Sequence, residues 1–420
     1  MKYEYAIEHQ RLSRRSALKL GAAASAAAVV SEGLLAGPAG ATDYDDDDDD
    51  DKGRDSRRHR KYTDEMFDIE AAKNGAWVPS RYGPEDQRGT LNELTPRRAA
   101  RAMRKLNLGR GVRSYQLGEE MFNGFPAFPS DPPRLHDMFL YALGFQAPQD
   151  FIDAGGIQAA ANAPLGPNEL IGFEERFAEN FTFQIATQID GLNHIGIGDL
   201  FYNGFTALEM LNPFGTTALG NETMGPITAR GVIIDIVGLK EAQGATDTFF
   251  EAPNGELVLI DNYRITIEDI EKALYRQRIG KRLGAGDVPI LHTGWTHLAR
   301  SAPDRYLASE PGIYLAEARY FADRKCALVC GDTWGLEVLN NEVVEGAFPV
   351  HQELITKNGI RIGESMVTDS AIAEHAYEGV FVATPENVPG ATCGSTPPVF
   401  LSQPGPKPRR MRPRVKKKDD

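Results

Sequence analysis

The stretch Phe181–His194, which reads FTFQIATQIDGLNH, indicates the fold class and contains the main candidate site. Apolar and polar residues alternate along its first ten positions, which predicts a half-buried β-strand. One face is apolar, and the other carries Gln184, Gln188 and Asp190, with His194 four residues further on. Two carboxamides, a carboxylate and an imidazole in such proximity are typical of a divalent-cation site or a proton-transfer site. The alternative interpretation is an ordinary solvent-exposed strand face.

Composition places the chain among soluble globular proteins and argues against a general nucleic-acid binder. Of its 420 residues, 41% are hydrophobic and 25% are charged, and the formal net charge is −13. An unbroken acidic run, Asp45–Asp51, precedes the basic patch Arg57–Lys61. Blocks of like charge repel and stay disordered, so residues 42–75 are predicted to form a disordered linker. The acidic run resembles an engineered protease-tag sequence, but its position directly behind a processing signal favours a natural linker.

The N-terminus carries an export signal. Residues 13–19 read SRRSALK, a twin-arginine pattern, and an apolar stretch rich in Ala and Gly follows. Ala39-Gly40-Ala41 has the small-x-small form of a signal-peptidase site. A membrane anchor is the rival interpretation, but Glu32 and the shortage of Leu and Ile argue against it. We expect a signal peptide over 1–41 and a periplasmic or secreted product without a membrane anchor.

The remainder of the chain predicts one mixed α/β domain over residues 76–403, followed by a Pro-rich, basic, disordered tail over 404–420. Thr95-Pro96 and a capping box at Thr266 open two helices. Apolar strands are predicted from Gly231, Val288 and Cys326. Strands outnumber helices, so central sheets with flanking helices are expected. The three cysteines form no disulfide framework and are expected to be inert core thiols.

Taken in order, these segments resemble the cyclase superfamily of metal-dependent hydrolases, which includes bacterial kynurenine formamidase and isatin hydrolase. The family signature, H-x-G-T-H-x-D-x-P-x-H, corresponds to residues 184–194. Five further stretches resemble the family in the same order: GPEDQRGTLNELTP from Gly83, ARGVIIDI from Ala229, GDVPILHTGW from Gly286, GDTWGLE from Gly331 and HQELITKNGIRIGES from His351. The resemblance implies a swivelling β/β/α-type fold and a small-molecule substrate. We also expect a homo-oligomer, a dimer or a tetramer.

The resemblance assigns roles to individual positions, and three signature positions differ in ways that touch chemistry or geometry. Gln184 and Gln188 stand where the family has His, and Leu192 stands where it has Pro. By resemblance, His194 is the catalytic acid and base. The implied metal ligands are Gln184, Gln188, Asp190, His351 and Glu364. The alternative for the two glutamines is that they only hydrogen-bond to neighbouring strands.

Replacing imidazole by carboxamide changes the expected metal, because an amide oxygen is a harder and weaker donor. Mn²⁺ or Zn²⁺ is expected, with Mg²⁺ or Ca²⁺ as alternatives. The leading hypothesis is an exported hydrolase of an amide, cyclic amide or ester bond. A non-catalytic protein that binds a cation or small molecule is the second hypothesis, motivated by the two lost histidines. A metal-dependent lyase or cyclase is the third.

Several other polar and aromatic residues have two interpretations each. His292 and His297 are either packing residues or pocket-wall residues, and Asp235, within an apolar strand, is expected to be paired structurally. The resemblance gives Asp332 and Glu337 no ligand role. Phe122, Phe125 and Tyr202 line an apolar pocket in one interpretation and belong to the core in the other.

The export hypothesis has a direct genetic test. Replacing Arg14 and Arg15 by Lys removes the paired guanidinium groups of the twin-arginine pattern, so the precursor should remain in the cytoplasm. The parent chain should be recovered outside the cytoplasm with Thr42 as its first residue. Cell fractionation and N-terminal sequencing measure both, and unchanged export of the variant would refute the assignment.

Overall fold

The computed structural model describes residues 62–339 and 346–411. The predicted signal peptide, the acidic run and the last nine residues of the tail lie outside these ranges. The body begins earlier than the predicted residue 76, because Phe67 and Ala72 are buried in the core. It also extends past residue 403, since the backbone N–H of Arg409 donates to the carbonyl of Arg276. Across the described ranges, no helix has the length and apolar character that crossing a bilayer requires.

Fourteen strands and eleven α-helices make up the regular structure of the described residues. The strands are β1 Arg113–Gln116, β2 Met138–Leu143, β3 Ile157–Gln158, β4 Gly172–Phe177, β5 Gln188–Asp190, β6 Ile227–Asp235, β7 Phe249–Glu251, β8 Leu257–Leu259, β9 Val288–His292, β10 Leu328–Gly331, β11 Arg361–Glu364, β12 Glu378–Ala383, β13 Cys393–Gly394 and β14 Val399–Ser402. The α-helices are α1 Ile69–Lys73, α2 Pro96–Met103, α3 Gln149–Asp153, α4 Ala207–Met210, α5 Ile236–Ala242, α6 Ile267–Arg276, α7 Leu298–Ser301, α8 Pro303–Ala308, α9 Leu315–Asp323, α10 Pro349–His351 and α11 Asp369–Ala373. A π-helix over Gln352–Lys357 continues α10.

A nine-stranded mixed sheet in the order β1-β14-β12-β6-β9-β10-β11-β5-β13 forms the centre of the molecule. Its four middle strands, β6, β9, β10 and β11, run parallel, and the outer pairs are antiparallel. Side chains of β6 alternate between two cores, since Val232 and Ile234 pack in one cluster and Ile233 in another. Apolar residues therefore cover both faces of the sheet, which confirms the predicted mixed α/β class.

The helix starts follow the sequence signals closely. Thr95 caps α2 with Pro96 at its first position, and Thr266 and Asp269 form the predicted capping box of α6. The strand predicted from Gly231 begins earlier, at Ile227, and the apolar residues after Asp235 form a helix. Asp235 ends β6 because its carboxylate accepts the Gly238 N–H and so begins α5. The same carboxylate pairs with Arg276 at 3.0 Å, which confirms its predicted structural role.

The predicted strand over residues 181–190 is wrong for most of its length. Only Gln188–Asp190 forms a strand, and Ala186 has φ +58°, which an extended strand does not allow. Thr187 is held from two sides, because its hydroxyl donates to the Ser365 carbonyl at 2.6 Å and accepts the Glu119 N–H at 2.7 Å. Residues 184–190 are all buried, so the expected solvated polar face is instead an internal one.

A second, smaller sheet lies in the chain between β1 and β5. It contains β3, β2 and β4 in that order, with β2 parallel to β3 and antiparallel to β4. It shares no strand pairing with the large sheet in the described residues. Two short strands, β7 and β8, form a separate hairpin.

A close backbone approach at Gly89 gives a test of the packing around the large sheet. Gly89 has φ +59°, and a Cβ there would lie 2.0 Å from the carbonyl oxygen of Gly359. We expect Gly89→Ala to lower the free energy of unfolding by about 3–5 kcal/mol. The matched control is Gly75→Ala, which also has positive φ but no atom within 4 Å of the added Cβ. The control should cost roughly 1–2 kcal/mol. Urea denaturation measures both, and equal losses would contradict the steric explanation.

Candidate functional site

Strand register brings the polar side chains of β5 and β11 together. In the antiparallel ladder between these strands, Gln188 lies opposite Glu364. Asp190, two residues from Gln188, lies opposite Cys393 on β13. Opposed residues of an antiparallel pair share a face, and so do residues two apart on one strand. The side chains of Gln188, Asp190, Glu364 and Cys393 therefore lie on one face, inside the protein.

His351 reaches this face from α10 and is held there by Glu337. Its Nδ1 lies 2.6 Å from Glu337 Oε1, and Glu337 also accepts the backbone N–H groups of Val350 and His351. These contacts place the Nδ1 proton toward Glu337. His351 Nε2 then faces two other acids, 3.4 Å from Glu364 Oε1 and 3.8 Å from Asp190 Oδ2.

Burial lowers the pKa of His351, but the hydrogen bonds and negative charges of Glu337 and Glu364 outweigh it and hold the pKa well above its usual range. An acid that orients an imidazole through its other ring nitrogen is typical of metal-binding histidines. Sequence reasoning gave Glu337 no role. The only available signal was its position in a loop after a buried strand, where functional residues often occur.

Asp190 is a buried carboxylate that no protein group satisfies. It is 0% exposed, and neither Oδ1 nor Oδ2 has a hydrogen-bond partner among the described residues. Burial, followed by the charge of Glu364, raises the pKa of Asp190 well above its usual range. Buried polar atoms are rarely left unpaired, so this carboxylate is suited to bind a cation. Asp190, His194 and His351 offer ligand atoms that all lie within 4.8 Å of one another.

The two glutamines occupy different positions in the hydrogen-bond network. Gln188 Nε2 donates to Glu364 Oε2 at 2.6 Å and to Gln184 Oε1 at 3.1 Å, which leaves Gln188 Oε1 buried without a partner in the described ranges. Gln184 uses both ends of its amide, since its Oε1 accepts from Gln188 while its Nε2 lies 3.2 Å from His194 Nδ1 and 3.2 Å from Thr392 Oγ1. Of the two amide carbonyls, that of Gln188 is therefore the one free to bind a cation, whereas Gln184 supports His194.

This network also sets the tautomer of His194. The Glu364 carboxylate accepts hydrogen bonds only, so the amide of Gln188 must turn its NH₂ group toward it. Gln188 then donates to Gln184, and Gln184 donates to Nδ1 of His194, so that a neutral His194 carries its proton on Nε2. Burial, followed by the positive charges of His351 and Arg134, lowers the pKa of His194 to about 3, which keeps the ring neutral.

An aromatic wall, formed by Phe128, Trp334 and Phe348, adjoins His351. The Phe348 ring lies 5.2 Å from the His351 ring, centroid to centroid, and Phe128 lies 5.8 Å from Phe348 and 5.3 Å from Trp334. The Arg134 guanidinium lies 5.5 Å from the Phe128 centroid and donates to the backbone carbonyl of Gln184. Neither the wall nor Arg134 was predicted from the sequence, because these residues come from separate loops.

The aromatic residues that were proposed for the pocket mostly pack in the core. Phe125 is buried and packs edge-on against Tyr306. Tyr202 is buried, and its hydroxyl donates to Asp86 at 2.7 Å. Phe122 packs beneath Arg300 at 4.0 Å. For Phe125 and Tyr202 the core interpretation therefore describes the observed contacts.

His292 and His297 lie in a separate polar cluster. His292 Nδ1 is 3.2 Å from Asp332 Oδ2 and 3.0 Å from Thr368 Oγ1, and His297 Nε2 is 2.9 Å from Asp369. Burial lowers the pKa of His292, but the hydrogen bond and charge of Asp332 outweigh it and raise the pKa to about 9. Asp332 also accepts the backbone N–H groups of the two residues that follow β9. These contacts fit a structural ion pair that joins the ends of β9 and β10.

Comparison with known proteins gives a family and a fold. No curated protein sequence matches the chain. A crystal structure of a novel cyclase is 24% identical and covers 80% of this chain and 99% of its own, with a TM-score of 0.61. Isatin hydrolase A from Ralstonia solanacearum is 14% identical over 74% of this chain and 98% of its own, with a TM-score of 0.47. Isatin hydrolase A from Labrenzia aggregata, bound to benzyl benzoate, is 15% identical over 70% and 96%, with a TM-score of 0.45.

The family described as "Putative cyclase" matches residues 115–338, which is more than half of the chain and includes the segment that carries Gln184, Gln188, Asp190 and His194. This match agrees with the fold of the novel cyclase and with the family resemblance of the signature segment. The chain belongs to the cyclase family.

Proposed function

We propose that the protein is a metal-dependent hydrolase that cleaves an amide, cyclic amide or ester bond in a small aromatic substrate. The observation that carries the proposal is the buried carboxylate of Asp190, which has no hydrogen-bond partner among the described residues. It faces His351 Nε2 and lies on the same strand face as Gln188 Oε1, which also lacks a partner there. A divalent cation satisfies all three groups at once. We further propose export by the twin-arginine route, on the N-terminal pattern alone.

The residues present fit a cation with oxygen-rich ligation. Asp190, Gln188 Oε1 and His351 Nε2 would hold it, and Glu364 lies beside them as a further carboxylate ligand. One imidazole among oxygen donors suits Mn²⁺ or Zn²⁺, with Mg²⁺ or Ca²⁺ as alternatives. When bound, such a metal supplies Lewis-acid polarisation of the scissile carbonyl and a lowered pKa for water. Gln184, whose carbonyl is already occupied, acts in support of His194 and not as a ligand.

His194 is placed to donate a hydrogen bond to the reacting group. Its Nε2 carries the proton in the observed network, and a neutral imidazole is too weak an acid to give that proton up. The ring would instead stabilise the negative charge that develops on the carbonyl oxygen or on the leaving group. The Gln184 hydrogen bond to Nδ1 holds the ring in this tautomer and in this orientation.

The aromatic wall supports an aromatic substrate. Phe128, Trp334 and Phe348 form adjacent apolar surfaces beside His351, and edge-to-face contacts between rings are favourable. Arg134 places a positive charge next to this wall, where it would stabilise the carboxylate that hydrolysis produces. A non-catalytic binding protein is the second candidate function, because Gln stands at two positions where the family signature has His.

Substitutions at the proposed ligands should change the affinity for the metal by different amounts. Asp190→Asn removes the only anion on β5, so we expect it to abolish most metal binding. Gln188→Ala should weaken binding less, because it removes one neutral donor. Gln188→His should raise the affinity for Zn²⁺, since imidazole is the softer ligand. Gln184→Ala is the control and should retain the metal. Elemental analysis and calorimetric titration measure these effects, and equal metal content in all variants would place the site elsewhere.

Loss of His194 should separate catalysis from metal binding. Removing one preorganised hydrogen-bond donor to the reacting group typically costs about 10²–10³-fold in rate, so His194→Ala should lose turnover by about that factor. The variant should keep its fold and most of its metal, which oxygen ligands and His351 hold. His297→Ala, outside the site, is the control and should keep its activity. Loss of metal in His194→Ala would recast this residue as a ligand. No turnover of any amide, lactone or ester by the metal-loaded parent would favour the binding-protein function.

A further inference from the structure

The outer edge of β4 is an unpaired strand edge with an unusual composition. β4 pairs with β2 on one side, and no described strand pairs with its other side. Five of its six residues are exposed, with Phe173 at 61% and Phe177 at 43%. Natural proteins normally protect such edges with charged side chains, above all lysine, or with proline or a bulge, because exposed apolar edges associate. β4 reads GFEERF and has no lysine or proline. Its three charged residues carry both signs, so they can pair with those of a second copy and do not simply repel it.

The backbone of β4 offers three residues for pairing. The N–H of Ala178 donates to the Asp137 carbonyl, and the ladder register continues from this pair into β4. Backbone groups alternate sides along an antiparallel strand, so Phe173, Glu175 and Phe177 direct their N–H and C=O groups outward. Among the described residues, no acceptor is found for these three N–H groups. The Glu175 carbonyl accepts only the Arg176 side chain of its own strand.

We propose that β4 pairs antiparallel with β4 of a second copy of this chain, about a two-fold axis through Glu175. The pairing joins the two small sheets into one six-stranded sheet, in the order β3-β2-β4-β4-β2-β3. This proposal is independent of the proposed catalysis. The partner is a second copy of this chain, because the edge is complementary to itself.

Symmetry restricts the possible registers. Opposed residues of an antiparallel pair point to the same face, and faces alternate along a strand. A two-fold axis perpendicular to the sheet leaves every side chain on its own face. Each residue can therefore oppose only the same residue of the second copy, or one that lies an even number of positions away. For this reason the axis passes through a residue and not between two residues. Within the exposed edge, the candidate centres are Glu174, Glu175 and Arg176.

Only the register centred on Glu175 pairs aromatic residues with each other and opposite charges with each other. It places Phe173 against Phe177 of the second copy, and Glu174 against Arg176 of the second copy, each pair occurring twice. A centre at Glu174 instead opposes Phe173 to Glu175, and a centre at Arg176 opposes Glu175 to Phe177. Aromatic pairs and opposite-charge pairs are the favourable cross-strand combinations.

The side chains of β4 are already oriented for this pairing. Arg176 lies over the Tyr141 ring at 4.6 Å and reaches Glu174 of its own strand at 2.7 Å, so both charges lie on one face. On the other face, the β2 residues directly opposite Phe177 and Glu175 are Met138 and Leu140, which are 44% and 40% exposed. Pairing brings Phe173 of the second copy beside Phe177 and shields both rings. One unfavourable contact remains, because Glu175 opposes itself at the axis.

That contact makes the register testable by analytical ultracentrifugation of the full mature chain. The parent should show a concentration-dependent monomer–dimer equilibrium. Glu175→Gln removes the like-charge contact and should tighten the dimer several-fold. Glu175→Pro removes an outward N–H without touching the bond network to β2, and should weaken the dimer at least about tenfold. Circular dichroism and metal content should remain those of the parent in both variants.

Charge reversal tests the same register without proline. Arg176→Glu replaces both opposite-charge pairs by pairs of carboxylates and should weaken the dimer, and adding Glu174→Arg to it should restore the association. Phe173→Ser should weaken the dimer, whereas Phe214→Ser, at a residue 93% exposed elsewhere, should leave it unchanged. A parent that stays monomeric at all concentrations overturns the proposal. A dimer that resists both Glu175→Pro and Arg176→Glu also overturns it, because it must use another surface.

Discussion

The interaction on which the site depends is the hydrogen bond between Glu337 and His351. Glu337 is anchored by two backbone N–H groups at the start of α10, so its position is determined by the helix and not by the site. It fixes the His351 ring and directs Nε2 at Asp190 and Glu364. A buried cluster of one imidazole and several acids without a cation is electrostatically expensive. A bound cation would convert that cost into affinity.

The two glutamines of the candidate site give its hydrogen-bond network a direction. An imidazole can donate or accept at either nitrogen, but an amide has one donor end and one acceptor end. The chain of hydrogen bonds from Glu364 through Gln188 and Gln184 to His194 is therefore directional. It couples the orientation of the His194 ring to a carboxylate beside the candidate metal ligands. The binding-protein interpretation leaves this ordered chain without a purpose, whereas the proposed hydrolysis would use it.

Local sequence signals predicted the elements that depend on local chemistry. The helix caps at Thr95 and Thr266 and the buried strands of the parallel core are determined by nearby residues. The strand expected over residues 181–187 failed because Ala186 adopts positive φ, held there by contacts of Thr187 to distant residues. Alternation of apolar and polar residues indicates that a segment has two different faces. It does not indicate that neighbouring strands bury the polar face. Glu337 and the aromatic wall escaped prediction for the same reason, because only tertiary structure brings their loops together.

The small sheet between β1 and β5 connects the candidate site to the free edge of β4. Arg134, just before β2, donates to the backbone carbonyl of Gln184 beside the candidate site. β4 pairs with β2 along one edge, and its other edge is the free one. The isolated bridge between Leu135 and Phe181 ties the start of this sheet to the segment that leads into β5. A three-stranded sheet with one exposed apolar face has little core of its own and gains rigidity from whatever it pairs with. Pairing at β4 would therefore make the loop that carries Arg134 more rigid. Because Arg134 contacts the aromatic wall, dimer formation would also make that wall more rigid, although the second copy adds no residue to it.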